Sequence, residues 1–467
     1  MSNKKSSRQM RQDYSQRSSK PTRRFRIPKW LGLGVTLFGV AGASAVGGAF
    51  LAMSLNSTPL LNSSLSAEEA AFFNQEDPIT AGNRLQLPRL TRPVNILILG
   101  LKVLSTDLSE PPPEVEELGY HALINSFEGL SDTMLLVRFN PQTNQLVVLS
   151  VPRDTRTLVR GRMTKLNEAN RDGGPALAAK SVSDLLGGVE IDRYVRINVQ
   201  GVEKLVDALG GVDVNVPEDM QYQDDSQHLY INLKAGQQRL DGDQALQFLR
   251  FRYDGGGDIG RIQRQQVMMR AIVEQALNPT TVARLPKIFS VIKDHVDTNL
   301  SVEESLALAG FAAQTNAYNM QMLMLPGDFS NGDDFELSYW LPDFRDIDAM
   351  VAEYFGYGTR QVVTSEDPQY LRIAIQDSTG DEIAVDSLVQ TLYESGYYNV
   401  YVEADWHEEL PITRVIAQNG DLGSAETLKR FLGVGEVRVE STGILDSDIT
   451  IQLGGDWLDE YGTSSSL

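Results

Sequence analysis

Val94-Asn-Ile-Leu-Ile-Leu-Gly100 is a short, nearly continuous apolar run, the kind of run that makes a strand buried on both faces. The 29 residues Leu101–Gly129 contain Pro111-Pro112-Pro113 and read as a long surface loop. Beyond them, Thr133–Phe139 and Leu146–Val151 are strand-like runs around Asn140-Pro-Gln-Thr-Asn-Gln145, the pattern of a hairpin. Helical and strand patterns then alternate. Ala176–Leu186, Val202–Leu209, Gln244–Leu249 and Ile262–Ala276 read as helices, and Tyr194–Val199 and Val212–Val216 as strands. The alternation predicts an α/β domain over residues 93–355 with a mostly buried central sheet, closed by a last helix at Asp346–Tyr354.

Residues 356–368 read as a linker centred on Thr359–Pro368, and 369–460 as a small second α/β domain. Its expected strands are Leu371–Gln376, Asn399–Val402, Val437–Glu440 and Asp448–Leu453, with helices at Val385–Ser395 and Ala425–Phe431. No catalytic constellation stands out in it.

Upstream the composition changes. Residues 1–29 hold ten Lys or Arg and one acid, Asp13, a balance of +9, so the rest of the −20 chain carries −29. This basic tail reads as disordered. Leu31–Met53 follows, 23 residues without a charge, long enough at about 1.5 Å per residue to cross a hydrocarbon core of about 30 Å. A transmembrane helix is expected within residues 30–55. A signal peptide would have an apolar core of roughly 7–15 residues, and the cleavage-like Ala43-Ser44-Ala45 lies inside the run. The Lys and Arg excess puts the N-terminus in the cytoplasm and the catalytic domain outside, in a single-pass protein of the cytoplasmic membrane. Gly39, Ala43 and Gly47 have a small-residue spacing that also occurs by chance. Residues 56–92 form a linker in which Ser66-Ala-Glu-Glu69 has the form of a capping box.

The chain has no Cys, which excludes disulfides, thiol catalysis and thiolate metal sites. His121, His228, His295 and His407 lack zinc-ligand spacing. With no helix-turn-helix pattern and no basic face outside the tail, nucleic acid is not an expected partner.

On the acidic body, arginines gather twice: at Val151-Pro-Arg-Asp-Thr-Arg156, and at Leu249-Arg-Phe-Arg-Tyr253 running on to Gly260-Arg-Ile-Gln-Arg-Gln265. Arg250 and Arg252 share a face if their piece is extended, though not if it is helical. Arg261, Arg264 and Gln265 fall at i, i+3 and i+4, one side of a helix. Planar guanidinium groups bind phosphate oxygens in pairs, so their convergence suits a diphosphate. Surface arginines pairing with the many acids are the bland alternative.

VNILILG, LSDTMLLVRFNP, LSVPRDTR, KLNEAN, ALGGVDVNVP, LDGDQALQFLRFRY and GDIGRIQRQQ follow one another in order. In these motifs the chain resembles the LytR-CpsA-Psr family of cell-wall glycopolymer transferases over roughly residues 93–355, and its last domain resembles the LytR C-terminal domain. The resemblance implies an α-β-α layered core around a central mixed sheet. It implies a phosphotransferase that moves a glycopolymer from a polyprenyl diphosphate carrier to a cell-wall acceptor such as peptidoglycan, with the lipid in an apolar tunnel. It puts Asp132 and Asp154 among the metal carboxylates of an Mg²⁺ site. Arg153, Arg156, Arg250, Arg252, Arg261, Arg264 and Gln265 become diphosphate ligands. Whether Asp154 orients the arginines or helps deprotonate the acceptor stays open.

The chain departs from the family at Gly100-Leu101-Lys102, where a metal-binding Asp is usual in the third place. Lys102 is therefore expected to reach the diphosphate itself and to leave Mg²⁺ weakly bound. Two alternatives follow: a scaffold that binds lipid-linked glycan without turnover, and a hydrolase in which water replaces the acceptor.

Overall fold

The strand expected at Val94 runs one residue further, as β1 (Val94–Leu101). It pairs antiparallel with β2 (Ser131–Asn140), which turns back through residues 141–144 into β3 (Gln145–Val151). Asn144, at φ 54°, takes the left-handed conformation that closes this hairpin. The computed structural model describes residues 65–461 apart from 74–78, 82–87, 102–126, 226–228, 252–256, 279–280, 282–283, 285–286, 289, 292–294, 313, 316–319, 331–334, 336, 359–367, 404, 419–420, 440–442 and 445–446. The expected anchor, Lys102 with most of the long loop, Arg252 and most of the linker lie outside the described residues. Among the described residues no helix is long and apolar enough to cross a membrane.

In chain order the first domain continues with a hairpin of β4 (Arg156–Val159) and β5 (Arg162–Lys165), helix α1 (Glu168–Leu185), β6 (Arg193–Asn198) and α2 (Val199–Leu209). Two hairpin-like ladders come next, built from β7 (Val212–Val216), β8 (Met220–Asp224), β9 (Leu229–Leu233) and β10 (Gly236–Leu240). Then follow α3 (Gly242–Arg250), α4 (Gly257–Leu277), β11 (Val296–Thr298), α5 (Val302–Ala312), β12 (Met320–Met324), β13 (Gly327–Phe329), β14 (Trp340–Pro342) and α6 (Phe344–Met350). The six-stranded sheet has the order β11-β6-β1-β2-β3-β12, with β1/β6 and β3/β12 parallel and the other pairs antiparallel. It is a mixed sheet.

Strand alternation divides its side chains between two layers. Leu97, Leu99, Met134, Leu136, Val147 and Leu149 face one core with Ala178, Val182 and Leu185 of α1. Leu135, Val137, Leu146 and Val148 face another with Phe311 of α5 and Met269 and Val273 of α4. Helices thus cover both faces. A separate core gathers Val206 of α2, Val212 and Val214 of β7, Phe248 of α3 and Met268 of α4.

Helix α1 starts eight residues before the expected Ala176, because Gly173 and Gly174 break the helical dihedrals ahead of Pro175 and hide the first half from a periodicity reading. The Ser66–Glu69 capping box is formed: Ser66 Oγ accepts from the Glu69 N–H, and the Ser66 N–H donates to Glu69 Oε2 at 2.8 Å. The expected last helix begins as α6 and widens into a π-helical turn at Val351–Phe355.

The second domain is a five-stranded sheet of β15 (Arg372–Asp377), β16 (Asn399–Val402), β17 (Arg414–Ala417), β18 (Glu436–Val439) and β19 (Ile449–Leu453), ordered β16-β15-β19-β17-β18. Helices α7 (Glu382–Glu394) and α8 (Leu422–Leu432) pack on it. Its edge strand β18 lies against β12, the edge of the larger sheet, so each edge shields the other.

Candidate active site

The carboxyl ends of β1, β3 and β6 and the start of β2 meet at one rim of the large sheet. Open α/β sheets hold ligands at such rims. There the β1–β2 register slips: Gly100 faces Thr133 while Leu101 faces Ser131, so Asp132 is the extra residue of a β-bulge. Gly100 allows the close approach, since a Cβ there would lie 3.0 Å from Thr133 Cβ.

After β3 the chain turns at once. Thr155 donates from both N and Oγ1 to the Pro152 carbonyl, at 3.0 and 2.6 Å. Arg153 sits on this turn, with Nη1 2.9 Å from Asp132 Oδ1 and Nε 3.4 Å from Asp154 Oδ2. Lys165, from the end of β5, takes the other oxygen of Asp154 at 3.0 Å. Charges therefore alternate along Asp132, Arg153, Asp154 and Lys165.

Two cavities open at this rim. The larger, about 300 Å³, is walled by Leu101, Val199, Val202, Leu229, Leu246 and Leu249, with Asp132, Thr133, Asn198, Tyr222, Arg250, Arg261 and Gln265 as its polar residues. A small cleft of about 20 Å³ is lined by Ser150, Arg153 and Asp154 beside Met134, Val151, Pro152 and Phe329. Asp132, Arg261 and Gln265 line both. Gln265 Nε2 donates to the Asp132 carbonyl at 3.4 Å. Two residues before Gln265, Gln263 Nε2 donates to the Gly443 carbonyl of the second domain at 2.8 Å, so that domain braces the helix that carries Arg261.

The structure thus gathers Asp132, Arg153, Asp154, Arg250, Arg261 and Gln265 around one rim. Arg250 reaches it as the last residue of α3, with Phe251 extended at φ −63° and ψ 138°, not from an extended piece. Arg264 lines neither cavity; its Nη2 donates to the Phe251 carbonyl, because a step of three residues on α4 turns it off the Arg261–Gln265 line. Arg156 also lines neither. The Pro152–Thr155 turn sends it to the far side of the rim, where its guanidinium carbon lies 4.9 Å from the Phe335 ring centroid. Lys102 and Arg252 lie outside the described residues.

Two features escaped the sequence reading. Lys165 belongs to the KLNEAN motif but carried no assigned role there, since its partner Asp154 is brought to it only by the β4–β5 hairpin. The apolar chamber has a signal in hindsight: Val199/Val202 and Leu246/Leu249 are i, i+3 pairs on adjacent helices.

An Mg²⁺ ion usually needs only one or two carboxylates beside phosphate oxygens. Asp132, on the rim of both cavities, fits that role. Asp154 fits it poorly, its oxygens being taken up by Lys165 and Arg153. Among the described residues no group of three or more His, Cys, Asp or Glu is placed to hold a metal.

An α/β core whose cavity joins an apolar wall to cationic residues suits the class of proteins that handle lipid-linked phosphates. The LytR-CpsA-Psr family pattern matches residues 61–355, and the chain belongs to that family. Residues 370–457 match the pattern described as LytR cell envelope-related transcriptional attenuator. Among curated relatives, the polyisoprenyl-teichoic acid–peptidoglycan teichoic acid transferase TagU of Bacillus cereus is 29% identical over 66% of this chain and 91% of its own. TagU of Oceanobacillus iheyensis is 30% identical over 57% of this chain and 77% of its own. The crystal structure of Bacillus subtilis TagV overlays with a TM-score of 0.47 at 26% identity, covering 57% of this chain and 99% of that one.

Proposed function

We propose that this protein transfers a glycopolymer from a polyprenyl diphosphate carrier to a cell-wall acceptor such as peptidoglycan. One observation carries the reading: Asp132, Arg261 and Gln265 are shared by a chamber with an apolar wall and a small cleft that holds Arg153 and Asp154. An amphiphile with a lipid chain and a diphosphate head needs both environments, joined at its head. The transferase names of the family relatives support the same chemistry.

The lipid end of the carrier lies along Val199, Val202, Leu246 and Leu249, and its diphosphate meets Arg250, Arg261 and Arg153. An acceptor hydroxyl attacks the phosphorus nearer the glycan. A new phosphoester bond forms, the bridging P–O bond breaks, and polyprenyl phosphate leaves with the hydroxyl's proton. Charge grows on the bridging and equatorial oxygens, where fixed cations stabilise it most. Asp154 holds Arg153 and Lys165 in place. Mg²⁺ bound through Asp132 and phosphate oxygens would neutralise part of the diphosphate, and Lys102 would share that task from the sequence position of a family carboxylate.

The reading includes a membrane anchor at residues 30–55 and a catalytic domain outside the cytoplasmic membrane, on the strength of the uncharged 23-residue run and the basic tail before it. The chain should fractionate with membranes after a salt wash, and a variant lacking residues 1–55 should be soluble.

The test of function is incubation of the purified full chain with a synthetic polyprenyl diphosphate-linked saccharide and peptidoglycan. Release of polyprenyl phosphate with covalent attachment of the saccharide is expected. Binding without turnover would mark a scaffold, and free phosphorylated saccharide without acceptor would mark a hydrolase.

A further inference from the structure

Arg156 carries no role in the donor site, yet its surroundings are not those of an ordinary surface arginine. It has no carboxylate partner among the described residues, on a body whose charge is strongly negative. Its guanidinium lies 4.9 Å from the Phe335 ring centroid and 5.9 Å from that of Tyr339, two rings packed edge to face at 5.3 Å. Stacking uses the face of a guanidinium and leaves its in-plane N–H groups to bind a carboxylate.

Beside Arg156 is a groove of about 550 Å³ walled by Leu158, Met163, Leu341 and Phe344. Leu158 is 55% exposed, Met163 46% and Phe344 58%, an apolar surface with nothing in this chain to cover it among the described residues. Asp184 also lines the groove, where it forms an exposed ion pair with Lys180 at 2.9 Å. Apolar walls beside a stacked cation match a sugar chain that bears acidic groups: C–H faces meet the walls and a carboxylate meets Arg156.

The groove and the donor cleft share no lining residue, but the β4–β5 hairpin links them. Arg156 pairs with Lys165 across the β4–β5 ladder, and Lys165 Nζ lies 3.0 Å from Asp154 and 5.6 Å from the Tyr339 ring centroid. Arg153 and Arg156 are three residues apart, so their Cα atoms are at most about 11 Å from one another. A chain seated on one arginine reaches a phosphorus held by the other.

We propose that this groove seats the acceptor, a carboxylate-bearing cell-wall glycan strand, next to the donor cleft, with Arg156 as its anionic anchor. The proposal rests on the transferase reading, and its test separates the two. The full chain in detergent is titrated with a soluble glycan-strand fragment of peptidoglycan and, separately, with a short-chain polyprenyl diphosphate-linked disaccharide. Arg156→Ala should bind the fragment about tenfold more weakly and the donor as wild type does. Phe344→Ser and Leu158→Asn, at exposed side chains, should weaken the fragment in the same direction with the melting temperature little changed. Arg261→Ala should do the reverse, losing donor and keeping fragment. Wild type that does not bind the fragment, or Arg156→Ala that loses donor and keeps fragment, overturns the proposal. So does a groove that takes phosphatidylglycerol vesicles in the fragment's place, or one whose substitutions change only the oligomeric mass. Wild type that binds fragment but no donor refutes the transferase reading alone.

Discussion

Two sets of arginines, a few residues apart in the fold, are built on different rules. Arg193 and Arg196 on β6 are buried, 3% and 7% exposed, and each has its own carboxylate. Arg193 Nη2 lies 2.6 Å from Glu304, and Arg196 Nε 2.6 Å from Asp297, which is fully buried. Carbonyls of Phe73, Asp192 and Phe127 take further N–H groups. At the rim, by contrast, Arg153 lies between two carboxylates, Asp132 and Asp154, the second shared with Lys165, and Arg250 and Arg261 line a cavity wide enough for a ligand. Arginines matched one to one with buried acids hold β6 to α5 and to its neighbouring strand β11. Arginines gathered on a cavity wall are arranged for charge that arrives from outside.

The comparison breaks first at Arg196. Arg196→Ala leaves Asp297 buried and alone, so chemical unfolding should show about 3–5 kcal/mol less stability, and soluble yield should fall. Arg261→Ala should do the opposite: transfer falls about 10²- to 10³-fold while the melting temperature barely moves. If Arg261→Ala unfolds the protein and Arg196→Ala leaves it intact, the division between the two sets is wrong.

Lys102 extends the cationic set by sequence alone. Transfer by wild type should survive in part in chelator, and Lys102→Asp should regain activity only at high free Mg²⁺. Complete loss in chelator with a normal Lys102→Ala would remove it from the site. A smaller effect is expected at Lys165, a positioning residue. Lys165→Met should lower turnover about tenfold with little change in donor KM, and Lys165→Arg should restore it.

The smallest effect tests clustered charge of the other sign. Asp346, on α6, is held above the usual aspartate range by burial and then by Asp343 and Asp421, with Arg345 opposing. A raised carboxyl contributes its stability fully below its unfolded value of 3.8 and loses it as pH climbs through the folded value. Asp346→Asn should therefore melt slightly higher than wild type at pH 7, the gap closing as pH falls toward 4. A gap that widens in acid would reverse the sign assigned to this cluster.

The order of apolar runs was legible in the residues by themselves. VNILILG, the hairpin around Asn140 and the helices at Val202 and Ile262 follow from periodicity, because each depends on neighbours in sequence. The motif series likewise marked Asp132, Arg153, Arg261 and Gln265. Short elements that exist only through distant partners left no such trace. β12 is a strand because it pairs with β3, and β4 and β5 because they pair with each other. The sequence could not separate Arg156 from Arg153, nor show which acids Arg193 and Arg196 meet. An arginine's role depends on which carboxylate, ring or cavity meets its guanidinium at the end of a long side chain. Bulges, turns and strand order decide that, and they are settled only when the chain closes on itself.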